Sequence, residues 1–219
     1  MGEYGTRSAR RHRGLTEARL RQPADAGPLR FAFADPPYPG QSRRHGSHED
    51  FAGEVDHGEL VERMMREWPH GWALCSGAAM IPHVAPLMPE GVRVLSWVKP
   101  MTLMKPGVSV DYGWEPVYLW GGRRRPRNAP MVRDWLSCSP EQWTFKGEGR
   151  APAGAVIGMK PRAFCTWVIE CLGARPDLGD AIDDLFPGSG AFERAWRAYA
   201  AAPQLAPAEA CAQEGLWDT

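Results

Sequence analysis

Residues 29–38 read Leu29-Arg30-Phe31-Ala32-Phe33-Ala34-Asp35-Pro36-Pro37-Tyr38. The first six, apolar except for Arg30, have the length and composition of a buried strand. They deliver a carboxylate, two prolines and a phenol ring to one point. Proline fixes φ at about −65°, so the carbonyl of Pro36 is held in place. Together the Asp35 carboxylate and the Pro36 carbonyl suit the two N–H groups of an exocyclic amine. Tyr38 offers a face on which an extruded base can stack. A strand followed by a proline-rich turn that Asp35 opens accounts for the same ten residues, so the rest of the chain must decide.

Downstream, Asp56 stands where a helix would be capped, and Leu60, Val61, Met64 and Met65 recur at helical spacing up to Trp68. Gly71–Ser76 is a second buried strand, Ala78–Met88 a short helix, and Val92–Val98 a third strand. The stretch 99–150 is rich in Pro, Gly and Arg and holds one strand at Trp114–Trp120, ended by Gly121-Gly122. From Lys160 the alternation returns: a helix with the stripe Phe164, Trp167, Val168, Ile169 and Leu172, stopped by Gly173. A strand at Ala181–Phe186 and a helix at Ala191–Ala200 follow. Strands alternating with helices point to an α/β fold with a parallel-type sheet and helices on both faces. Between the last strand and helix, Pro187-Gly188-Ser189-Gly190 reads equally as a nucleotide-cradling turn and as a capping turn with Ser189 as the cap.

The 219 residues are 43% apolar and 24% charged with zero formal net charge, an ordinary globular composition. No apolar run approaches the roughly 18 residues a membrane span needs, and no secretory leader is evident at the start. Five cysteines, Cys75, Cys138, Cys165, Cys171 and Cys211, form no Cys-x-x-Cys pair. They read as reduced thiols of a cytoplasmic protein, and no histidine spacing suggests a metal site. The neutral total hides basic clusters: Arg7, Arg10, Arg11, Arg13, Arg19 and Arg21; Arg43 and Arg44; Arg123, Arg124, Arg125 and Arg127. Such patches can follow a phosphate backbone while acidic helices balance the sum; solvated charge on loops explains each cluster as well.

Taken in order, Asp35-Pro36-Pro37-Tyr38, then Lys160-Pro161 at the head of an amphipathic helix, then Asp184-Leu185-Phe186-Pro187-Gly188-Ser189-Gly190, the chain resembles the S-adenosylmethionine-dependent DNA amino-methyltransferases in their beta circular permutation, in a small form like those of actinobacteria and their phages. Trp97-Val98-Lys99-Pro100 and Trp114-Glu115-Pro116-Val117 resemble two further strand segments of that family. The resemblance covers about residues 29–200. It implies a Rossmann-like sheet flanked by helices, S-adenosylmethionine as cofactor and DNA as substrate, with adenine N6 as the target because Asp leads the first motif. Cytosine N4, RNA adenine, or a non-catalytic protein of the same fold are the alternatives. Asp35, Pro36, Pro37 and Tyr38 would hold the base. Asp184, Phe186, Pro187, Gly188, Ser189 and Gly190, with Lys160 and Pro161 closing from the other side, would hold the cofactor. Lys99 and Glu115, with Arg123, Arg124 and Arg125, would meet the nucleic acid. No cysteine sits in a Pro-Cys element, which argues against a cytosine-C5 mechanism.

The implied domain spans residues 28–200, with 99–150 as a small target-recognition insert, residues 1–27 as a mobile basic arm and 201–219 as a loose tail. One departure stands out. The family carries a further strand after the glycine turn and its helix, ending in an acid for the cofactor ribose; here an Ala/Pro-rich tail follows. Either the sheet is trimmed at its C-terminal strands or the ribose is held elsewhere. A monomer or homodimer is expected. Gln213-Glu214-Gly215-Leu216-Trp217 loosely resembles a sliding-clamp-binding peptide, although a stray hydrophobic pair on a loose end explains it better.

Overall fold

The computed structural model describes residues 20–38, 55–100, 107–126, 129–139 and 159–202. Most of the basic arm, Arg43, Arg44, Arg127, Cys211 and the peptide Gln213–Trp217 lie outside them. Six strands form one sheet: β1 (Arg30–Ala34), β2 (Gly71–Cys75), β3 (Arg93–Val98), β4 (Trp114–Gly121), β5 (Trp135–Ser137) and β6 (Ala181–Asp184), in the order β5-β3-β4-β2-β1-β6. The helices are α1 (His57–Glu67), α2 (Ile81–Val84), α3 (Arg162–Leu172) and α4 (Ala191–Ala201). The expected helix at Ala78–Met88 is α2 with a short 3-10 turn on either side. No helix among the described residues is long and apolar enough to cross a membrane.

The expected parallel-type sheet is corrected to a mixed one. β1 pairs in parallel with β2 and β6, and β3 with β5, but β4 runs antiparallel to both β2 and β3. The connection from β3 to β4 carries Pro100, Pro106, Gly107 and Gly113. Its described residues hold no crossover helix, and an antiparallel return needs none. Within the stretch 99–150, β4 lies in the middle of the sheet and β5 at its edge.

Period-two alternation sorts the strand residues into two cores. Phe31, Phe33, Ala73, Cys75, Leu95, Trp97, Val117 and Leu119 face α3 and α4, where Phe164, Val168, Leu172 and Phe192 meet them. Phe33 stacks on Phe192 with ring centroids 4.0 Å apart. On the other face Ala32, Ala34, Trp72, Leu74 and Tyr118 pack against Leu60, Val61 and Met64 of α1, with Trp68 and Val84. The Asp56 cap is real: Oδ1 accepts from the amides of Gly58 and Glu59 at 2.8 and 3.1 Å. α3 ends at Gly173 in the left-handed region (φ 69°), where a Cβ would lie 2.5 Å from the Arg123 carbonyl oxygen.

The described end of the expected arm is tied down. Gln22 bridges to Arg123, and Arg21 donates to the carbonyls of Arg123 and Cys171. Since β1, β2, β3, β5 and β6 point the same way and β4 opposes them, one end of the sheet collects the residues that follow five strands and the residues that begin the sixth. Ligands in open α/β sheets bind at the carboxyl ends of the strands.

Candidate active site

Asp35 follows β1, Lys99 follows β3, and Glu115 is the second residue of β4, opposite Trp97. Lys160 stands just before α3, where Pro161 is the N-cap residue in extended conformation. These four charges and Tyr38 meet. The Lys160 ammonium reaches both oxygens of Asp35, at 2.9 and 2.7 Å, and lies 3.7 Å from Glu115 Oε2. Lys99 donates to Glu115 Oε1 at 2.8 Å, and the Tyr38 hydroxyl donates to Oε2 at 2.8 Å. The rings of Trp97 and Phe164 lie 5.7 and 6.0 Å from the Lys160 ammonium.

Burial opposes the charge on Lys160, but the carboxylate of Asp35, then Tyr38 and Glu115, outweigh it and hold the ammonium well above the ordinary lysine range. Burial likewise disfavours the Glu115 carboxylate, yet Lys160 and Lys99 keep it below the usual value. Desolvation pushes the Tyr38 phenol well up, so it stays an O–H donor. It also pushes up the Cys75 thiol, with Asp35 adding to it; a protonated thiol is no nucleophile.

The second part of the site follows β6. Asp184 pairs with Phe33 in register, which sets it two residues short of Asp35 on the neighbouring strand. Among the described residues its carboxylate accepts one hydrogen bond, from the Phe186 amide at 3.2 Å, and no cation meets it. Burial, offset by that amide and reinforced by Asp35 and Glu193, raises its pKa to about 6. The chain then turns through Pro187–Gly190. Gly188 and Gly190 have φ of 45° and 69°, and the Gly190 amide donates to Pro187 O. A Cβ on Gly188 would meet nothing nearer than the Phe186 carbonyl oxygen at 3.8 Å, so the turn is open on that side.

Of the residues expected from sequence, Asp35, Tyr38, Lys99, Glu115 and Lys160 come together, and Asp184 with the Phe186–Gly190 turn adjoins them. Five placements bear on those readings. Lys160, expected beside the cofactor, has its ammonium on Asp35. The Tyr38 ring lies against Gly77, where a Cβ would sit 3.1 Å from Cδ2. Ser189 caps nothing: the N-cap of α4 is Gly190, with no side-chain bond, and the Ser189 carbonyl accepts from Arg194. Arg123 is 1% exposed and pairs with Asp180 far from the site; a buried guanidinium cannot reach a phosphate. Arg125 is at the surface, on the Glu170 carbonyl. The sequence reading missed Gly77, Trp97 and Phe164 as walls of the site. Trp97 could have been found, since it precedes Lys99 by two and so lies on the same face of its strand.

No family model and no curated protein matches the chain. Among solved structures, the M1.HpyAVI–SAM complex is similar at a TM-score of 0.50 and 15% identity, covering 78% of each chain. A proposed DNA modification methylase of Thermus thermophilus, TTHA0409, aligns over 83% of this chain and 90% of its own at 14% identity, but its TM-score of 0.36 is too low to support anything. At 15% identity the first likeness speaks for architecture alone: the chain shares the Rossmann-like α/β fold of M1.HpyAVI.

Proposed function

We propose that this chain transfers a methyl group from S-adenosylmethionine to the exocyclic N6 of adenine in DNA. The observation that carries the reading is the adjacency of two carboxylates with different surroundings. Asp35, at the end of β1, stands where an amine can be received. Asp184, at the end of the neighbouring β6, is half-buried and has no cation of its own among the described residues. A ligand bearing an ammonium and a sulfonium fits the second place, and the open glycine turn beside it leaves room for such a ligand. The presence of SAM in the M1.HpyAVI complex supports the choice. So does the order of the chain: β6 and its turn come last in sequence but lie beside β1, as the permuted arrangement requires.

When bound, S-adenosylmethionine supplies an electrophilic methyl whose bond to sulfur breaks with the electron pair going to sulfur. The chain positions the acceptor. Asp35 and the Pro36 carbonyl take the two amine hydrogens, which favours a pyramidal, nucleophilic nitrogen. As that nitrogen forms its bond to carbon it gains positive charge, and the Asp35 carboxylate stabilises it and receives the proton it sheds. Held in line, the two reactants need little else from the protein.

Incubating the protein with methyl-labelled cofactor and mixed-sequence duplex DNA, then analysing nucleosides, tests the reading. Label in N6-methyladenine is expected. Label in N4-methylcytosine would move the target, and label in RNA alone would move the substrate. The closed Lys160–Asp35 pair favours one rival, a non-catalytic binding protein; cofactor binding without transfer to any nucleic acid would establish it.

A pH effect follows from Asp184. Its carboxyl is neutral below about pH 6 and attracts a cationic ligand only when ionised. Cofactor affinity should therefore rise with pH through 6, by about tenfold between pH 5 and 7 if only the ionised form binds. Calorimetric titration over that range checks it, and Asp184→Asn should flatten the profile.

A further inference from the structure

Both oxygens of Asp35 are engaged by one ammonium, on the carboxylate that the proposed function needs for the target amine. That ammonium has a second carboxylate within reach. Glu115 Oε2 is 3.7 Å away, so a movement of about 1 Å would bring it to hydrogen-bond distance. Glu115 is prepared for the arrival. Lys99 holds Oε1 and the Tyr38 hydroxyl holds Oε2. A carboxylate oxygen has two lone pairs, so Oε2 can accept from Tyr38 and Lys160 together. The rings of Trp97 and Phe164 stand beside the Lys160 ammonium, and face-on aromatic rings tolerate a cation.

Resting on the function proposed above, we propose that Lys160 is a two-position cation, closing Asp35 when no target is present and passing to Glu115 when the amine arrives, with Glu115 the positioning residue that makes the passage possible. The electrostatic case has two sides. Lys160 is 9% exposed, and a buried ammonium pulled off its carboxylate with no other to receive it would be costly. Glu115 removes that cost. The amine, in turn, becomes cationic as it reacts, and an ammonium still on Asp35 would oppose it. The same movement withdraws a competing positive charge and uncovers the acceptor. Before the target arrives, the pair keeps the Asp35 carboxylate satisfied.

The test is a double-mutant cycle with Glu115→Gln and Lys160→Met. Gln keeps the shape and an acceptor for Tyr38 but cannot compensate an ammonium, so Lys160 stays on Asp35. A smaller competent fraction raises the apparent KM for DNA in proportion. About a tenfold rise is expected, with cofactor affinity within threefold of wild type. In the double variant Lys160 no longer closes Asp35, so the KM should return to within threefold of the Lys160→Met value. Additive effects of the two substitutions, or a Glu115→Gln KM within twofold of wild type, overturn the two-position cation. Loss of cofactor affinity in Glu115→Gln does so too, because Glu115 would then be supporting the fold. A wild-type protein that methylates no nucleic acid overturns the proposed function, and this inference with it; transfer by wild type with an additive cycle overturns this inference alone.

Discussion

Replacing Asp35 by alanine is expected to lower methyl transfer to duplex DNA about 10³-fold, roughly 4 kcal/mol on the barrier, while leaving the protein folded and able to bind its cofactor. The size follows from what Asp35 does: it accepts an amine hydrogen in the ground state and faces positive charge only as the new bond forms. Interactions that strengthen toward the transition state appear in kcat. The fold should survive because the cation that Asp35 leaves behind has another carboxylate, Glu115 at 3.7 Å. The remaining wall of the site, Tyr38 on Glu115 and Lys99 on Glu115, does not pass through Asp35. A second readout separates loss of chemistry from loss of structure. Asp35 is among the charges that raise Asp184 to about pKa 6. Without it, the midpoint of the pH dependence of cofactor binding should move down. Single-turnover transfer and calorimetric titration on the same preparation check both. Transfer within tenfold of wild type would remove Asp35 from the mechanism, and an unmoved midpoint would remove its coupling to Asp184.

What the sequence disclosed depended on whether the information was local. β1 and β2 are buried on both faces and therefore read as continuous apolar runs. The Asp56 cap and the Gly173 stop are written into single residues and hold in the structure. Asp35-Pro36-Pro37-Tyr38 is legible as a set because its four residues are adjacent, and Lys160-Pro161 because it heads a helix. The partnership of Lys160 with Asp35 is not legible, since 125 residues separate them and only the parallel pairing of β1, β2 and β6 brings the chain back. The direction of β4 is hidden for a related reason: Trp114–Gly121 has the same apolar run whichever way it lies. β5 has three residues, too few to show a period. Ser189 has the chemistry of a cap, but Gly190 in the left-handed region takes the position instead. Arg123, Arg124 and Arg125 are the sharpest case, because three identical neighbours read as one cluster and the fold sends the first to a different task.

Arg123→Ala should cost about 3–5 kcal/mol of stability, the usual consequence of leaving a buried charge without its partner. At about 2–4 °C per kcal/mol for a chain of this size, the melting temperature should fall by roughly 10 °C. The guanidinium is 1% exposed and Asp180 is fully buried. Nη2 and Nε meet the two carboxylate oxygens, and the remaining N–H groups reach the carbonyls of Ala26 at 2.6 Å and Gly27 at 3.0 Å. Asp180 also accepts from the amides of Leu29 and Arg175, both at 2.8 Å. One ion pair therefore joins the segment before β1, the end of β4 and the turn before β6. The functional consequence is one of register. Asp180 immediately precedes β6, and its bond to the Leu29 amide, with the Ala181 amide on the Leu29 carbonyl, sets where β6 lies along β1. That register puts Asp184 beside the end of β1 that carries Asp35. Lysine should not rescue the loss, since a single ammonium cannot span two carboxylate oxygens and two carbonyls in one plane. Arg125→Ala, which gives up an exposed bond to the Glu170 carbonyl, should change stability by less than about 0.5 kcal/mol. Thermal unfolding of the three variants decides the matter: equal melting temperatures for Arg123→Ala and Arg125→Ala would mean that the buried pair does not hold β6 in place, and that the adjacency of Asp184 and Asp35 is maintained by the strand pairing alone.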